Sequence, residues 1–490
     1  MEYKEIFDFE SGRLFELFKL LKSVDTSISL EQLSIEIDVS QKTILRYIKK
    51  VKKLFEIYQL ENHLAIVSRS KNSFYLKRDN DLYSEIFLVQ YLSNLPEVIF
   101  LKAIIEEETI LTKNLAEKLL ISESCLRRRV KRINDRLKKF GVYLRRGTYE
   151  LSGEEEQIRE LILHFYWFVY QGTNNNFLLQ EKAGSRQLTQ LLIDFFNMQI
   201  NDIQKEALFR IIQIAIWRYQ KGKAIKIKAE WQQYINESSI FAKLQEAMRI
   251  NETYQYIDIE EVAYLYLIIQ ARFLPYFGSS MQAYIIEEHY IKKTTCYSRT
   301  IVMTNKFRHV FWEKKFKHSK DSIVASLGFH LYYELISYFY FERNQPAKVL
   351  QEAFPNFTSK LDECVSGLSK NSSIYQRIPK DALFYRYFMI LSSLISPVYS
   401  EKRIFICLMT DLSLEKEIEL GKRITSFFYE RYNLTVIYAR KTKSIMYADV
   451  ILTTVFYQDL IQKHSQPVLL IGQNFSEKIF FQIENLLKKI

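Results

Sequence analysis

Glycine and proline are scarce in this chain, at 12 and 7 of 490 residues, against the roughly 7% and 5% of average usage. Few residues are available to break helices or close tight turns, so a mainly α protein is predicted. Cysteine is also rare. Cys125, Cys296, Cys364 and Cys407 are scattered and form no CxxC pair. That suits a reducing cytoplasm and offers no zinc site. No apolar run reaches the ~18 residues a membrane-spanning helix needs; the closest, Leu161 to Tyr170, is short and contains His164. The opening Met1-Glu2-Tyr3-Lys4-Glu5 lacks an apolar h-region, so no signal peptide is expected. A cytoplasmic protein with no membrane partner follows as the expectation. Phosphate-binding glycine loops, an H-E-x-x-H pair and a G-x-S-x-G elbow are all missing. Their absence argues against an ordinary NTPase, dehydrogenase, zinc protease or hydrolase. No catalytic residue, cofactor or metal is expected, and the chain is not read as an enzyme.

What the chain has is apolar bulk and local charge. Hydrophobic residues make up 48%, with 35 Phe and 33 Tyr, enough to fill the cores of several domains. Net charge is +12. Six basic residues and no acid lie between Gln41 and Lys53. Ten basic residues and one acid, Asp135, lie between Cys125 and Arg146. These two segments carry +15, so the remaining 455 residues sum to −3. Such concentration is the footprint of a polyanion site.

The two segments belong to an internal repeat at an offset of 82. Leu33–Ser40 aligns without a gap on Leu115–Ser122, and Ile44, Arg46, Ile48, Lys49 and Lys50 align on Leu126, Arg128, Val130, Lys131 and Arg132. Ile44, Ile48, Val51 and Phe55 in the first copy, and Leu126, Val130, Ile133 and Leu137 in the second, draw one stripe down a helix. The basic residues fall largely off it. A short helix precedes each basic one, carrying Leu33 and Ile37 in the first copy. Ser34 or Ala116 is small enough for a close crossing, and Val39 or Ile121 plugs the turn. Ser40 or Ser122 caps the second helix, and Ser29 with Gln32 suggests a capping box. Paired short strands follow each basic helix, at His63–Val67 and Ser73–Leu76, then at Val142–Arg145 and Thr148–Leu151. They read as wings with tips at Ser70-Lys71-Asn72 and Arg146-Gly147.

Two winged helix-turn-helix modules imply double-stranded DNA as partner. The start of such a helix enters the major groove while wing and helix-end cations meet phosphates. The expected base readers are Gln41, Lys42, Thr43 and Arg46 in the first copy and Glu123, Ser124, Arg127 and Arg128 in the second. Lys49, Lys50, Arg132, Arg145 and Arg146 are the expected phosphate contacts, and Lys131 is a further expected DNA-binding residue.

From Gln157 to Ser396 the pattern is helical almost throughout, with apolar stripes at Leu161–Tyr170, Gln190–Phe196, Lys205–Gln220, Ile259–Phe273 and Phe329–Phe341. Thr173–Asn176 is a polar break. After Pro397 strands alternate with helices: strands at Arg403–Met409, Leu434–Ala439, Asp449–Thr453 and Val468–Ile471, helices at Ser413–Arg431 and Phe475–Lys489. This predicts a small α/β domain with a parallel sheet.

This order of parts resembles the Mga/AtxA family of virulence regulators of Gram-positive bacteria, with Leu115–Ser152 the most specific piece. The resemblance implies two winged helix-turn-helix modules over 1–80 and 81–155. Two helical PRD-like domains over 156–282 and 283–398 and an EIIB-like α/β domain over 402–490 follow. It implies a cytoplasmic transcriptional regulator of virulence or carbohydrate-linked genes, a homodimer, and phosphorylation of PRD histidines by the phosphocarrier HPr. A PRD helix in the family runs H-[IL]-x-x-A-[IL]-x-R; Ile211–Arg218 matches with Ile211 at the histidine position. Glu261–Ile268 matches the second PRD pattern with Ile268 at its histidine. In the second PRD-like domain His330–Ser337 keeps the histidine, departing at Glu334 and Ser337, so His330 is the phosphorylation candidate. Cys407 lies in an apolar stretch with no glycine loop after it, unlike a working EIIB, and reads as an inert thiol. A phosphotransferase component and an RNA-binding PRD antiterminator are the alternatives.

Overall fold

The structure is a computed structural model. It describes all residues except 1–5, 25, 71, 108–111, 119–120, 174–183, 251–256, 312–319, 340–346, 370–374, 376–377, 441–444, 457–464 and 472–476. The chain is mainly α, with a small parallel-sheet domain at its C-terminal end. It divides into two compact units, Met1–Ser298 with Leu327–Tyr340, and Arg299–Ser326 with Phe341–Ile490. No single described helix is long and apolar enough to cross a membrane.

The first unit opens with α1 (Phe9–Ser23), started by the Asp8 carboxylate, which accepts from the Ser11 amide at 2.8 Å. Then come β1 (Ile28–Ser29), α2 (Leu30–Ile37), α3 (Gln41–Ile57), β2 (Leu64–Ser70) and β3 (Ser73–Arg78). The predicted stripe is buried: Ile44, Ile48, Val51 and Phe55 face inward, as do Leu33 and Ile37 on α2. Phe18 of α1 and Phe55 meet Phe87 on α4 (Asp81–Ser93), with ring centroids 4.3 and 5.0 Å away. The predicted wing is present as antiparallel β2 and β3, paired from Leu64↔Arg78. A third strand, β1, pairs with β3 through Ile28↔Phe74 and Ser29↔Ser73. Two residues are too few to show alternation in sequence. The turn between α2 and α3 places Asp38 in the left-handed region at φ 56°, a conformation that Asp tolerates better than most residues. Ser34 ties that turn by donating to the Val39 carbonyl at 2.5 Å.

The second copy follows through α5 (Pro96–Glu107), α6 (Thr112–Lys118) and α7 (Glu123–Leu137), then β4 (Val142–Leu144) and β5 (Leu151–Gly153). Leu126, Val130, Ile133 and Leu137 are buried as expected. Ser40 accepts from the Thr43 amide at 3.3 Å and Ser122 from the Cys125 amide at 3.2 Å, so both helices start at the predicted caps. Ser29 accepts from the Gln32 amide at 3.1 Å. The second wing differs from expectation in register. Its return strand begins at Leu151 and not at Thr148, with Leu144↔Leu151 and Val142↔Gly153 paired. The Arg145 amide bonds the Glu150 carbonyl and the Tyr149 amide bonds the Arg145 carbonyl. Gly147 and Tyr149 take positive φ, so the turn consumes residues 145–150. Lys71 in the first tip, and residues 119–120 of the second turn, lie outside the described residues.

Helix α8 (Glu155–Tyr170) leaves β5 directly and is buried along most of its length. Behind it come α9 (Ser185–Phe195), α10 (Asp202–Gln220), α11 (Gln232–Ile235), α12 (Ser239–Ile250) and α13 (Ile259–Phe273). Asn201 and Gln204 form a full capping box at the start of α10. Then follow α14 (Ser279–Ile291), α15 (Thr295–Val310), α16 (Lys320–Leu335), α17 (Ala347–Ala353), α18 (Pro355–Ser369) and α19 (Lys380–Leu394). The helix predicted over Phe329–Phe341 instead ends at Leu335. The aromatic run continues beyond it because Phe339 stacks on Phe140 and His164, at 5.0 and 5.1 Å, outside any helix. The polar break at Thr173–Asn176 lies mostly outside the described residues; Thr173 bonds the Tyr170 carbonyl at the end of α8.

The C-terminal end of the second unit is the predicted α/β domain. Strands β6 (Ile404–Met409), β7 (Leu434–Tyr438), β8 (Val450–Thr453) and β9 (Val468–Leu470) form one parallel sheet in the order β7-β6-β8-β9. Helices α20 (Leu414–Phe428) and α21 (Glu477–Leu487) pack on it through Leu420, Ile424, Phe428, Phe480, Ile483 and Leu487. A Cβ on Gly421 would sit 2.5 Å from the Tyr438 hydroxyl, so α20 approaches β7 as closely as glycine allows.

Candidate nucleic-acid interface

Burying the apolar stripe forces the opposite faces of α3 and α7 outward. On α3, Gln41, Lys42, Arg46, Lys49 and Lys50 are exposed and Thr43 is half-buried at the cap. On α7, Glu123, Ser124, Arg127, Arg128 and Lys131 are exposed, and so are Arg145 and Arg146 in the wing turn. Both cation-bearing faces are therefore accessible.

The structure gives Arg132 a partner that the sequence reading missed. Its Nη2 donates to Glu97 Oε1 at 3.0 Å, and Arg129 Nη1 donates to the same oxygen at 3.0 Å. Glu97 lies in the first turn of α5 with its side chain 0% exposed. Burial pushes its carboxyl above the usual carboxylate range, against the pull of the two guanidinium groups. Arg132 is thus half-buried and held, not a free phosphate contact like its exposed neighbours. The available signal was a lone acid after Pro96 at the head of the apolar stretch Val98-Ile99-Phe100. Weaker contacts restrain other cations. Arg127 pairs with Glu123 at 3.1 Å, Lys50 pairs with Glu10 of α1, and Arg145 pairs with Glu150 at 2.8 Å. Cys125 sits one turn before Arg129; hydrogen bonds from Arg129 and Arg128 lower its thiol below the usual range.

The wing and α8 join a buried ionic network. Glu150 also accepts from Lys223 at 2.7 Å. Glu155 accepts from Arg218 through both oxygens, at 2.8 and 2.7 Å, and from Arg159 at 3.0 Å. Arg159 makes a two-pronged contact with Glu261 at the start of α13, 2.7 Å on each arm, and donates to the Lys223 carbonyl at 3.0 Å. Burial works against the Arg159 charge, but Glu261 and Glu155 more than offset it and hold the guanidinium charged. One turn along, Glu160 pairs with Arg272, His164 and Tyr332. Burial alone would raise the Glu160 carboxyl; Arg272, with His164, brings it down to about 2.

The two isoleucines at expected histidine positions, Ile211 and Ile268, come together in one narrow crevice lined also by Arg159, Glu160, Leu163, Ile214 and Tyr264. Neither carries a titratable group. His330 is only 1% exposed and packs beside Phe329, ring centroids 5.4 Å apart. Cys407 is fully buried in β6, and burial pushes its thiol up to about 11. That protonated, inaccessible sulfur is a poor nucleophile.

The exposed helix faces and wings define a helix-turn-helix protein with a helical body. Comparison with known proteins agrees. Residues 81–166 match the Mga helix-turn-helix domain and residues 186–272 match the PRD domain. A relative, the capsule synthesis positive regulator AcpB of Bacillus anthracis, is 25% identical over 250 residues, covering 50% of this chain. The matched stretch spans 51% of that protein's length. These matches bear out the resemblance to the Mga/AtxA family.

Proposed function

We propose that this protein is a DNA-binding transcriptional regulator that grips duplex DNA with both winged helix-turn-helix modules. The observation that carries this reading is the shared design of α3 and α7, with apolar stripes buried and cations presented to solvent. Gln41, Lys42, Thr43 and Arg46, with Glu123, Ser124, Arg127 and Arg128, occupy the first turns, where a recognition helix meets base edges. Lys49, Lys50, Lys131, Arg145 and Arg146 meet phosphates. Arg132, held by Glu97, reaches a DNA phosphate only by sharing its guanidinium with that carboxylate. The modules span 1–80 and 81–155, followed by PRD-like domains over 156–282 and 283–398 and the EIIB-like domain over 402–490.

The match to a capsule regulator supports virulence or carbohydrate-linked genes as targets. Self-association through the C-terminal domain is supported by exposed Met446, Tyr447, Phe456 and Phe481, apolar surface of the kind that marks interaction sites. The burial of His330 favours a packing role for it. Phosphorylation there by HPr requires this part of the helix to open first.

Mobility shift on duplex DNA from the chain's own promoters at two salt concentrations tests the reading, with targets located by chromatin immunoprecipitation. Affinity should fall steeply with salt, because each neutralised phosphate releases a counterion. Arg128→Ala with Arg132→Ala should weaken binding and flatten the salt dependence. Unchanged affinity removes the second module as a reader, and no duplex binding even at low salt overturns the regulator reading.

A further inference from the structure

The carboxylate of Glu150 stands between two cations of different origin. Its Oε2 holds Arg145 of the wing at 2.8 Å, and its Oε1 holds Lys223 at 2.7 Å. Lys223 belongs to the segment after α10, within the part of the chain that matches the PRD. That segment is fixed independently of the Lys223 side chain. Arg159 binds the Lys223 carbonyl, and the Ile225 amide donates to Glu261 at 2.8 Å. The ammonium is therefore delivered to the wing by a backbone clamped to α8 and α13. The Lys223 ammonium, followed by Arg145, holds the Glu150 carboxyl below its usual range, so Glu150 stays charged at neutral pH.

An unpaired carboxylate next to a wing would both retain Arg145 and repel the DNA backbone. With Lys223 in place, Glu150 keeps a cation when Arg145 swings away to a phosphate. We infer that Lys223 is a positioning residue through which the PRD sets the availability of Arg145 for DNA. Its ammonium shares the Glu150 carboxylate with Arg145 and so loosens that carboxylate's hold, leaving the wing arginine able to exchange onto a phosphate. A displacement of the 221–228 segment would then switch one phosphate contact off from inside the PRD, without moving the reading helix. This inference rests on the reading of α7 and its wing as a DNA-binding surface.

The test is duplex affinity across a salt series for the full chain and for the variants Lys223→Met, Lys223→Arg, Glu150→Gln, Arg145→Ala and Lys223→Met/Glu150→Gln. Lys223 is one-third exposed and its carbonyl contact survives substitution, so Lys223→Met should fold; thermal melting checks this. Lys223→Met should weaken binding several-fold and reduce the salt slope by about one, as for loss of a single phosphate contact. Arg145→Ala should do the same. Lys223→Arg should retain wild-type binding, and Glu150→Gln should bind at least as tightly as wild type. The decisive result is the double variant, which should recover wild-type affinity and slope because the retaining charge is gone. An unchanged slope in Lys223→Met, or a double variant as weak as Lys223→Met alone, overturns the coupling. Wild-type protein that fails to bind duplex overturns the DNA-binding reading itself, and this inference with it.

Discussion

Helices α3 and α7 are two versions of one template with different surroundings. Each buries a four-residue apolar stripe at the same steps, α3 burying Tyr47 besides, and each starts at a serine cap. The acids around them differ. Among the described residues, the long-range ion pair on the α3 cations is the exposed one between Lys50 and Glu10, and exposed pairs contribute little. Around α7, Arg129 and Arg132 share the buried Glu97, and the wing's Arg145 is tied through Glu150 to Lys223. The first module is held mainly by its hydrophobic core. The second is tied to the helical body by ionic contacts, with α8 as the shared element.

That contrast is open to direct attack. The largest effect should come from Arg159→Met, which leaves Glu261 and Glu155 without their common partner. Breaking a buried ion pair costs about 3–5 kcal/mol. The loss should appear in denaturant unfolding. Hydrogen exchange should quicken in α8, the second wing and α13 while α2 and α3 keep their protection. Equal loosening of α3 would mean that the two modules are not differently attached.

Acid offers a second, somewhat smaller probe. The Glu160 carboxyl sits at about 2 in the folded chain against an ordinary 4.5. The unfolded chain therefore takes up this proton first, and the contribution is complete above about pH 4.5 and fades as pH falls toward 2. Two and a half pH units correspond to roughly 3 kcal/mol. The stability gap between wild type and Glu160→Gln, read from urea midpoints, should narrow across that window. A gap that stays constant with pH would show that the network around α8 does not hold its carboxylate charged.

The smallest effect should be where the modules are alike. Ser40→Ala and Ser122→Ala each remove one capping hydrogen bond and should cost about 1 kcal/mol apiece, measured by thermal melting. A much smaller loss for Ser122→Ala would mean that the start of α7 is held by something other than its cap.

Much of this is legible in the sequence alone. The repeat, the stripes, both caps, the first wing and the four-strand order of alternation after Pro397 are local patterns, visible because helix and strand periods are short. The same locality explains the failures. Strand β1 is two residues long and exists because β3 offers it an edge. The second wing turn runs longer than Arg146-Gly147 suggested because Tyr149 adopts positive φ, which no glycine announces. Helix α16 ends at Leu335, before the aromatic run does, because Phe339 serves a tertiary contact and not a helix face. Glu97 offered only the weak signal of an acid heading an apolar stretch, and nothing beside Lys223 in sequence pointed to Glu150.

Order along the chain determined that two basic helices exist, where each begins, and which of their faces is apolar. Those properties depend on residues within a turn or two of one another, where spacing dictates geometry. Only folding decided which cations remain available. Glu97 lies more than thirty residues before the arginines it holds, and Lys223 lies 73 residues beyond Glu150. An electrostatic partner is selected by distance in space, which chain order does not encode.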